Sequence, residues 1–160
     1  MFIELPIFWL LIINSIAWFC IHMVISLLAM KIPDQWFQQH QHLFRTWKWE
    51  RKGQIWNDIF QIRKWKKKLP DASLLIKAAF TKKSLQGATT ASFKKFIIET
   101  QRGELTHWLS ILPAPLFFIW NPKWAVMLIL IYAFFSNVPF ILVQRYNRPR
   151  LIRMLEMKKD

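Results

Sequence analysis

The sequence predicts an all-α integral membrane protein, with about three transmembrane helices and further helices on the cytoplasmic surface of the membrane. Of its 160 residues, 54% are hydrophobic and 16% aromatic, yet the formal net charge is +14. A soluble domain rarely combines these properties. The apolar and basic residues are also segregated along the chain, since long uncharged runs alternate with basic segments. We therefore treat residues 1–160 as a single membrane domain.

The first predicted span covers residues 5–29, which carry no formal charge. At 1.5 Å per residue such a helix is about 37 Å long, enough to cross a hydrocarbon core of about 30 Å. A cleaved signal peptide would have a basic segment before a shorter apolar stretch, so we expect a span instead. Cys20 is the one cysteine of the chain, so neither a disulfide nor a thiol metal site is expected.

A basic loop, residues 31–102, follows this span. Between Lys31 and Glu104 the chain has 16 Lys and Arg against 6 Asp and Glu, and half of its 10 tryptophans lie in this part. Basic loops stay cytoplasmic, and indole rings settle at the membrane interface. The loop is therefore predicted to lie on the cytoplasmic membrane surface. Apolar spacing predicts one interfacial helix over residues 55–65 and another short helix from Ser73.

The apolar run over residues 105–143 is interrupted by Asn121-Pro122-Lys123 and predicts two further spans, residues 103–120 and 124–143. The first of these is short, since Leu105 to Trp120 would make a helix of about 24 Å. It also contains Pro113 and Pro115, which kink helices. A full crossing therefore requires the helix to begin near Arg102, and a hairpin that enters without crossing remains the alternative.

The charge distribution predicts the orientation in the membrane. The C-terminal tail, residues 144–160, has 6 Lys and Arg against 2 Asp and Glu, whereas the N-terminus carries Glu4 and no basic residue before the first span. By the positive-inside rule, we expect a multi-pass protein of the cell membrane, with its N-terminus outside and its C-terminus cytoplasmic. A basic chain rich in tryptophan could also suit nucleic acid. The long apolar runs argue against nucleic acid and favour membrane lipid as the partner.

The first candidate site is the polar face of a helix predicted over residues 90–110. Glu99, Arg102, Glu104 and His107 share this face. Glu104 and His107 form an E-x-x-H pair, in which a carboxylate can orient an imidazole that takes a proton from an alcohol. Metal sites built from this motif use two copies, so no metal is expected. The alternative is the solvated face of an ordinary cytoplasmic helix.

The second candidate site is the run QRYNRPRL that follows the third span. Arg145, Arg148 and Arg150 are fork-shaped donors suited to phosphate or carboxylate, and Asn147 lies among them. Asn137, a polar residue within the third span, is a further candidate substrate-binding residue, as is Arg102. Arginines just inside a membrane also serve as topology anchors, which is the alternative interpretation.

Five runs of the sequence resemble one enzyme family: IPDQWF, GQIWN, IRKWKKKLPD, IIETQRGELTHWLSILP and NVPFILVQRYNRPRL. In this order and spacing they resemble the glycosyl-4,4'-diaponeurosporenoate acyltransferases of carotenoid pathways, over residues 32–151. Members of that family carry RAEL where this chain has Arg102-Gly103-Glu104-Leu105.

The resemblance implies that a fatty acyl group is transferred to the glucose C6 hydroxyl of a glycosylated C30 carotenoid acid, the final step of staphyloxanthin-like pigment synthesis. The partners would then be membrane lipid, the glycosylated carotenoid and an activated fatty acyl donor. No cofactor is expected beyond this donor, a thioester of coenzyme A or acyl carrier protein.

With this reaction in view, we hypothesise that His107 is the general base and that Glu104, with Glu99, orients it. Arg145, Arg148 and Arg150 are expected to bind the donor phosphates. The competing interpretation is a membrane scaffold or assembly protein without enzymatic activity.

Overall fold

The computed structural model of the protein describes residues 6–66 and 89–158, and within these ranges the chain is helical, without a β-strand. The all-α prediction is thereby confirmed for the described residues. The α-helices are α1 (Ile7–Lys31), α2 (Asp34–Gln39), α3 (Gln54–Phe60), α4 (Ile62–Trp65), α5 (Thr90–Ile111) and α6 (Lys123–Glu156). Three 3₁₀ helices are Gln41–Phe44, Lys48–Gly53 and Ala114–Ile119. The short helix predicted from Ser73 lies outside the described residues.

Two of these helices, α1 and α6, are long and apolar enough to cross a membrane. α1 agrees with the first predicted span, and it ends where Pro33 disfavours helical geometry at Ile32, whose backbone is extended. α6 includes the third predicted span but continues through most of the basic tail. Its 34 residues make it about 51 Å long, well beyond the thickness of a hydrocarbon core.

The segment predicted as the second span, residues 103–120, is not a single helix. α5 runs through Ile111 and ends there, and a 3₁₀ helix from Ala114 to Ile119 follows it. Pro113 and Pro115 explain the change, because a proline has no N–H to donate to the preceding turn of an α-helix. Similarly, the interfacial helix predicted over residues 55–65 is divided into α3 and α4 at Gln61, which has a left-handed backbone.

The described residues fall into two compact units. The first unit contains the residues up to Pro33 together with Leu105–Pro139, and the second contains those from Asp34 to Glu104 together with those from Phe140 onward. α5 and α6 each contribute to both units.

The first unit is held by aromatic packing and by a pair of asparagines. Trp18 of α1 stacks on Phe117 of the 3₁₀ helix, with 5.0 Å between ring centroids. Asn14 and Asn121 exchange side-chain hydrogen bonds of 2.8 and 2.9 Å, and the Trp120 indole donates to the Asn14 carbonyl oxygen at 2.8 Å. Because each amide supplies both a donor and an acceptor, the pair leaves little polar surface unsatisfied.

The second unit contains α2, α3 and α4, the first part of α5 and the last part of α6. Phe93 of α5 and Leu151 of α6 are buried in one cluster. At Gly53 the backbone is left-handed, with φ +80°, and a Cβ atom there would lie 2.8 Å from the carbonyl oxygen of Arg145. Only glycine fits this close approach to α6 without strain.

We predict that Gly53→Ala destabilises the second unit. The left-handed conformation alone costs a residue with a side chain about 1–2 kcal/mol, and the contact with a backbone oxygen adds to this. Thermal unfolding of the purified protein in detergent should show a clear decrease in the midpoint temperature.

The matched control is Gly103→Ala, because there the new Cβ would meet the flexible Gln144 side chain at 3.3 Å. Alanine also favours a helix over glycine by about 0.5–1 kcal/mol. Gly103→Ala should therefore unfold close to the wild-type temperature. Equal midpoints for the two variants would contradict the close approach at Gly53.

Candidate functional site

The second unit contains a buried network of two arginines and two glutamates. Arg145 contacts both Glu50 and Glu104, and its Nη1 donates to the Glu104 carboxylate at 2.7 Å. Arg148 donates to the other oxygen of the same Glu104 carboxylate. Glu50 is 0% exposed, and Glu104 and Arg148 are each 2% exposed. The four formal charges cancel, which makes it possible to bury them together.

Helical spacing and one unusual turn bring these side chains together. Arg145 and Arg148 lie three residues apart on α6 and therefore share a face. Glu50 belongs to the 3₁₀ helix Lys48–Gly53, in which Arg51 and Lys52 have left-handed backbones with φ of 50° and 56°. Such geometry is costly for residues with side chains. It is sustained by the buried contacts that Glu50 makes.

Arg148 is also bound to the backbone of its neighbours. Its Nε donates to the Thr100 hydroxyl at 3.0 Å, and its terminal nitrogens donate to the carbonyl oxygens of Phe44 and Thr100 at 2.7 and 3.0 Å. Arg145 and Arg148 each make four hydrogen bonds to acceptors of the protein. These arginines therefore tie α6 to α5 and to the loop before α3.

Glu50 is the member of this network that the sequence did not reveal. Burial raises the pKa of its carboxyl group, but hydrogen bonds from Arg145 and Trp56 outweigh that effect, so the pKa lies below its ordinary value. The indole of Trp56 donates to Glu50 at 3.0 Å, and the backbone N–H of Trp47 donates at 3.2 Å. Its one sequence signal is that it is a lone carboxylate in the basic, tryptophan-rich stretch WKWERK.

Glu99 and Arg102 belong to a second ionic cluster. Asp34, the first residue of α2, contacts Lys95 and Arg102 at 2.7 Å each. Glu99 contacts the same two cations at 3.2 and 3.4 Å. The hydrogen bond between Lys95 and Asp34 lowers the pKa of the carboxyl group and raises the pKa of the amine. This cluster fastens the start of α2 to α5.

His107 lies in the first unit and contacts Asn137 of α6. Its Nδ1 is 2.9 Å from the Asn137 carbonyl oxygen, while the Asn137 amide nitrogen donates to the Ala133 carbonyl at 2.9 Å. Because the amide oxygen can only accept, this contact assigns the proton of the neutral ring to Nδ1. Nε2 is then the basic nitrogen of His107, the one able to take a proton from an alcohol.

Asn147 and Arg150 lie near the C-terminal end of α6. The Asn147 side chain accepts a hydrogen bond from Lys66 at 2.7 Å. The Arg150 guanidinium lies over the Tyr146 ring, 3.4 Å from its centroid, and donates to the Tyr146 carbonyl. Both residues therefore contact protein groups in the second unit.

The structure thus brings Glu104, Arg145 and Arg148 into one network and pairs His107 with Asn137. Arg102 instead contacts both Glu99 and Asp34, and Glu99 also contacts Lys95. The catalytic and substrate-binding roles assigned from the sequence stay predictions, and the contacts give each of these residues a defined structural partner.

Comparison with known proteins identifies relatives over most of the chain. The profile of a family described as glycosyl-4,4'-diaponeurosporenoate acyltransferase matches residues 33–157. Proteins of that name from Staphylococcus aureus strains USA300, NCTC 8325 and Newman are each 39% identical over 145 residues, which is 91% of this chain and 87% of each relative. No solved structure matches the chain significantly.

We predict that Glu104→Gln destabilises the second unit. The substitution keeps the shape of the side chain but leaves the buried Arg148 without a carboxylate partner and leaves Arg145 with Glu50 alone. Breaking a buried ion pair in this way costs about 3–5 kcal/mol. Limited proteolysis and thermal unfolding in detergent should both reveal the loss.

Asp58→Asn is the matched control, because Asp58 contacts Arg51 at 3.9 Å with both side chains largely exposed. Exposed pairs contribute about 0–1 kcal/mol, so this variant should behave like the wild type. If Glu104→Gln were as stable as Asp58→Asn, the network would not be what holds α5 to α6 in the second unit.

Proposed function

The protein belongs to the glycosyl-4,4'-diaponeurosporenoate acyltransferase family, and we propose that it esterifies the glucose C6 hydroxyl of glycosyl-4,4'-diaponeurosporenoate with a fatty acyl group. This reaction completes a staphyloxanthin-like pigment. The observation that carries the proposal is the 39% identity over 91% of the chain to proteins of that name. A scaffold without activity is not favoured by membership of a family of acyltransferases.

In the proposed mechanism His107 is the general base. The Asn137 contact supports this role, because it fixes the proton on Nδ1 and leaves the lone pair on Nε2. Nε2 takes the proton of the sugar hydroxyl as the oxygen attacks the acyl carbonyl. Glu99 and Glu104 support the base indirectly, since their contacts with basic partners hold α5 in place.

The acyl donor in this proposal is a thioester of coenzyme A or acyl carrier protein. Attack of the hydroxyl oxygen forms the new C–O bond, and collapse of the tetrahedral intermediate breaks the C–S bond. The departing thiolate receives the proton held by the imidazolium, which returns His107 to its neutral form. Protons and electrons therefore balance without a metal or a redox cofactor.

We also propose three membrane crossings, with the N-terminus outside and the C-terminus cytoplasmic. The Asn14–Asn121 pair supports this, because Asn14 lies 17 residues before Lys31 on α1, or about 25 Å along the helix axis. The turn at Asn121 therefore reaches a depth most of the way across a core of about 30 Å. The 3₁₀ helix Ala114–Ile119 helps the second crossing to reach this depth, since it rises about 2.0 Å per residue instead of 1.5 Å.

The activity test is ester formation in a host that makes the glycosylated carotenoid. Wild-type protein should convert it to the acylated pigment, measured by mass spectrometry of extracts. His107→Ala should lose on the order of 10² to 10⁴ in turnover at an equal protein level, the usual contribution of general acid–base catalysis.

Trp108→Phe is the control for this experiment, because Trp108 is the next residue of α5 and its side chain is exposed. It should retain wild-type turnover. Near-normal ester formation by His107→Ala would exclude the general-base role, and absence of the ester with wild-type protein would overturn the proposed function itself.

Topology is tested separately with reporter fusions. We expect a reporter at the N-terminus to be active outside the cell, and reporters within residues 82–90 or after Asp160 to be active in the cytoplasm. A reporter inserted between Asn121 and Lys123 should read outside. A cytoplasmic reading there would replace the second crossing with a re-entrant hairpin.

A further inference from the structure

The second unit contains a cavity to which no role has been assigned above. Its volume is about 620 Å³. This lies within the range of roughly 300–1,000 Å³ typical of small-molecule sites. Its apolar lining comes from Phe44, Ile97, Ile98, Ile152 and Leu155. Exposed basic side chains, including Arg45 and Lys94, lie at its rim.

Gln101 of α5 lines this cavity and is only 3% exposed. Its carbonyl oxygen, Oε1, is buried and accepts no hydrogen bond from any residue that the structure describes. A buried acceptor without a donor is destabilising. An N–H or O–H group of a ligand in the cavity would remove that penalty.

Arg148 also lines the cavity, but its hydrogen bonds go to Thr100, Phe44 and Glu104. The rim therefore depends on other cations to attract an anion. Arg45 and Lys94 are exposed, and no ion pair with a carboxylate is recorded for either side chain within the described residues. They are thus the cations at the rim most available to a phosphate.

Three chemical features must be matched by one ligand: an apolar chain, a buried hydrogen-bond donor and an anionic group. The thioester of a fatty acid with phosphopantetheine has all three. Its acyl chain is apolar, its pantetheine arm contains secondary amide N–H groups, and the arm ends in a phosphate. A glycosylated carotenoid offers sugar hydroxyls but no phosphate, so it leaves the basic rim without a counterpart.

We propose that this cavity binds the phosphopantetheine thioester of a fatty acid. Gln101 accepts a hydrogen bond from an amide of the pantetheine arm, Arg45 and Lys94 contact the phosphate, and the acyl chain lies against Ile97, Ile152 and Leu155. This assignment rests on the proposed function, for which it identifies the donor site. Free coenzyme A and acyl carrier protein both present this phosphopantetheine arm.

Binding of palmitoyl-coenzyme A to the purified full chain in lipid nanodiscs tests the assignment, measured without the carotenoid. Gln101→Leu removes the acceptor while keeping an apolar side chain of similar size. It should weaken binding roughly 5- to 100-fold, because the ligand N–H is then buried without a partner. The unliganded variant should unfold at or above the wild-type temperature, since an unsatisfied buried group has been removed.

Lys94→Ala tests the anionic contact and should weaken palmitoyl-coenzyme A binding while also reducing its dependence on salt. The matched controls are Gln39→Leu and Lys48→Ala, exposed residues that do not line the cavity. Both should bind the donor like the wild type. Palmitic acid alone lacks the pantetheine amide, so its binding should be insensitive to Gln101→Leu.

Comparison of palmitoyl-coenzyme A with palmitoyl-acyl carrier protein distinguishes the two sources of the arm, and preference for either supports the site. If Gln101→Leu and Lys94→Ala both bound the two donors as tightly as the wild-type protein does, the assignment of the donor site would be overturned. If the wild-type protein still forms the pigment ester in that case, the proposed function stands and only the location of the donor is wrong. If no ester forms with any acyl donor, the proposed function fails instead.

Discussion

The second unit depends on burying two arginines and two glutamates as one neutral group. Isolated charges in a protein interior are very costly, and a buried pair offsets that cost only when its remaining donors and acceptors are also satisfied. Here Glu104 bridges Arg145 and Arg148, and Glu50 completes the group. In a chain with only 9 acidic residues against 23 basic ones, these carboxylates are scarce. Two of them are used to join α5, α6 and the loop before α3.

The close approach at Gly53 follows from the same arrangement. Pro149 lies within α6 and has no N–H for the carbonyl of Arg145, four residues earlier. Gly53 packs against that same carbonyl, and its left-handed backbone closes the 3₁₀ turn that begins at Lys48. Pro149, Gly53 and Glu50 therefore all act at Arg145. The first two residues lie at its backbone carbonyl, and Glu50 pairs with its side chain.

Sequence patterns predicted the elements that depend on local composition. The apolar run over residues 5–29 became α1, and the face with Glu99, Glu104 and His107 became part of α5. The secondary structure of residues 103–120 was harder to predict. Pro113 and Pro115 allow either a kinked helix or the observed change to a 3₁₀ helix. The continuation of α6 past Val143 was also missed, since its arginines look like an exposed anchor until their buried partners are known.

The partners of the site residues could not be read from spacing, because they come from distant parts of the chain. The E-x-x-H motif suggested that Glu104 serves His107, yet its carboxylate contacts two arginines more than 40 residues away, at sequence separations of 41 and 44. Asn137 was predicted as a substrate-binding residue, and its carbonyl oxygen contacts His107. A local motif identifies residues of suitable chemistry, whereas the tertiary fold decides which of them meet.

Gln101 differs from the other buried polar residues of the second unit in the partners that the fold provides. Its neighbour Thr100 receives a hydrogen bond from Arg148, and Glu50, Glu104 and Arg148 all have partners in the same unit. The fold can therefore satisfy buried polar groups here, including charged ones that are far more costly to leave unpaired than an amide. Among the residues that the structure describes, none donates to the Gln101 amide oxygen beside the cavity, which makes this oxygen unlike the buried polar groups around it. The proposed donor site accounts for this difference, because the hydrogen-bond donor for the Gln101 oxygen is an N–H of the bound substrate.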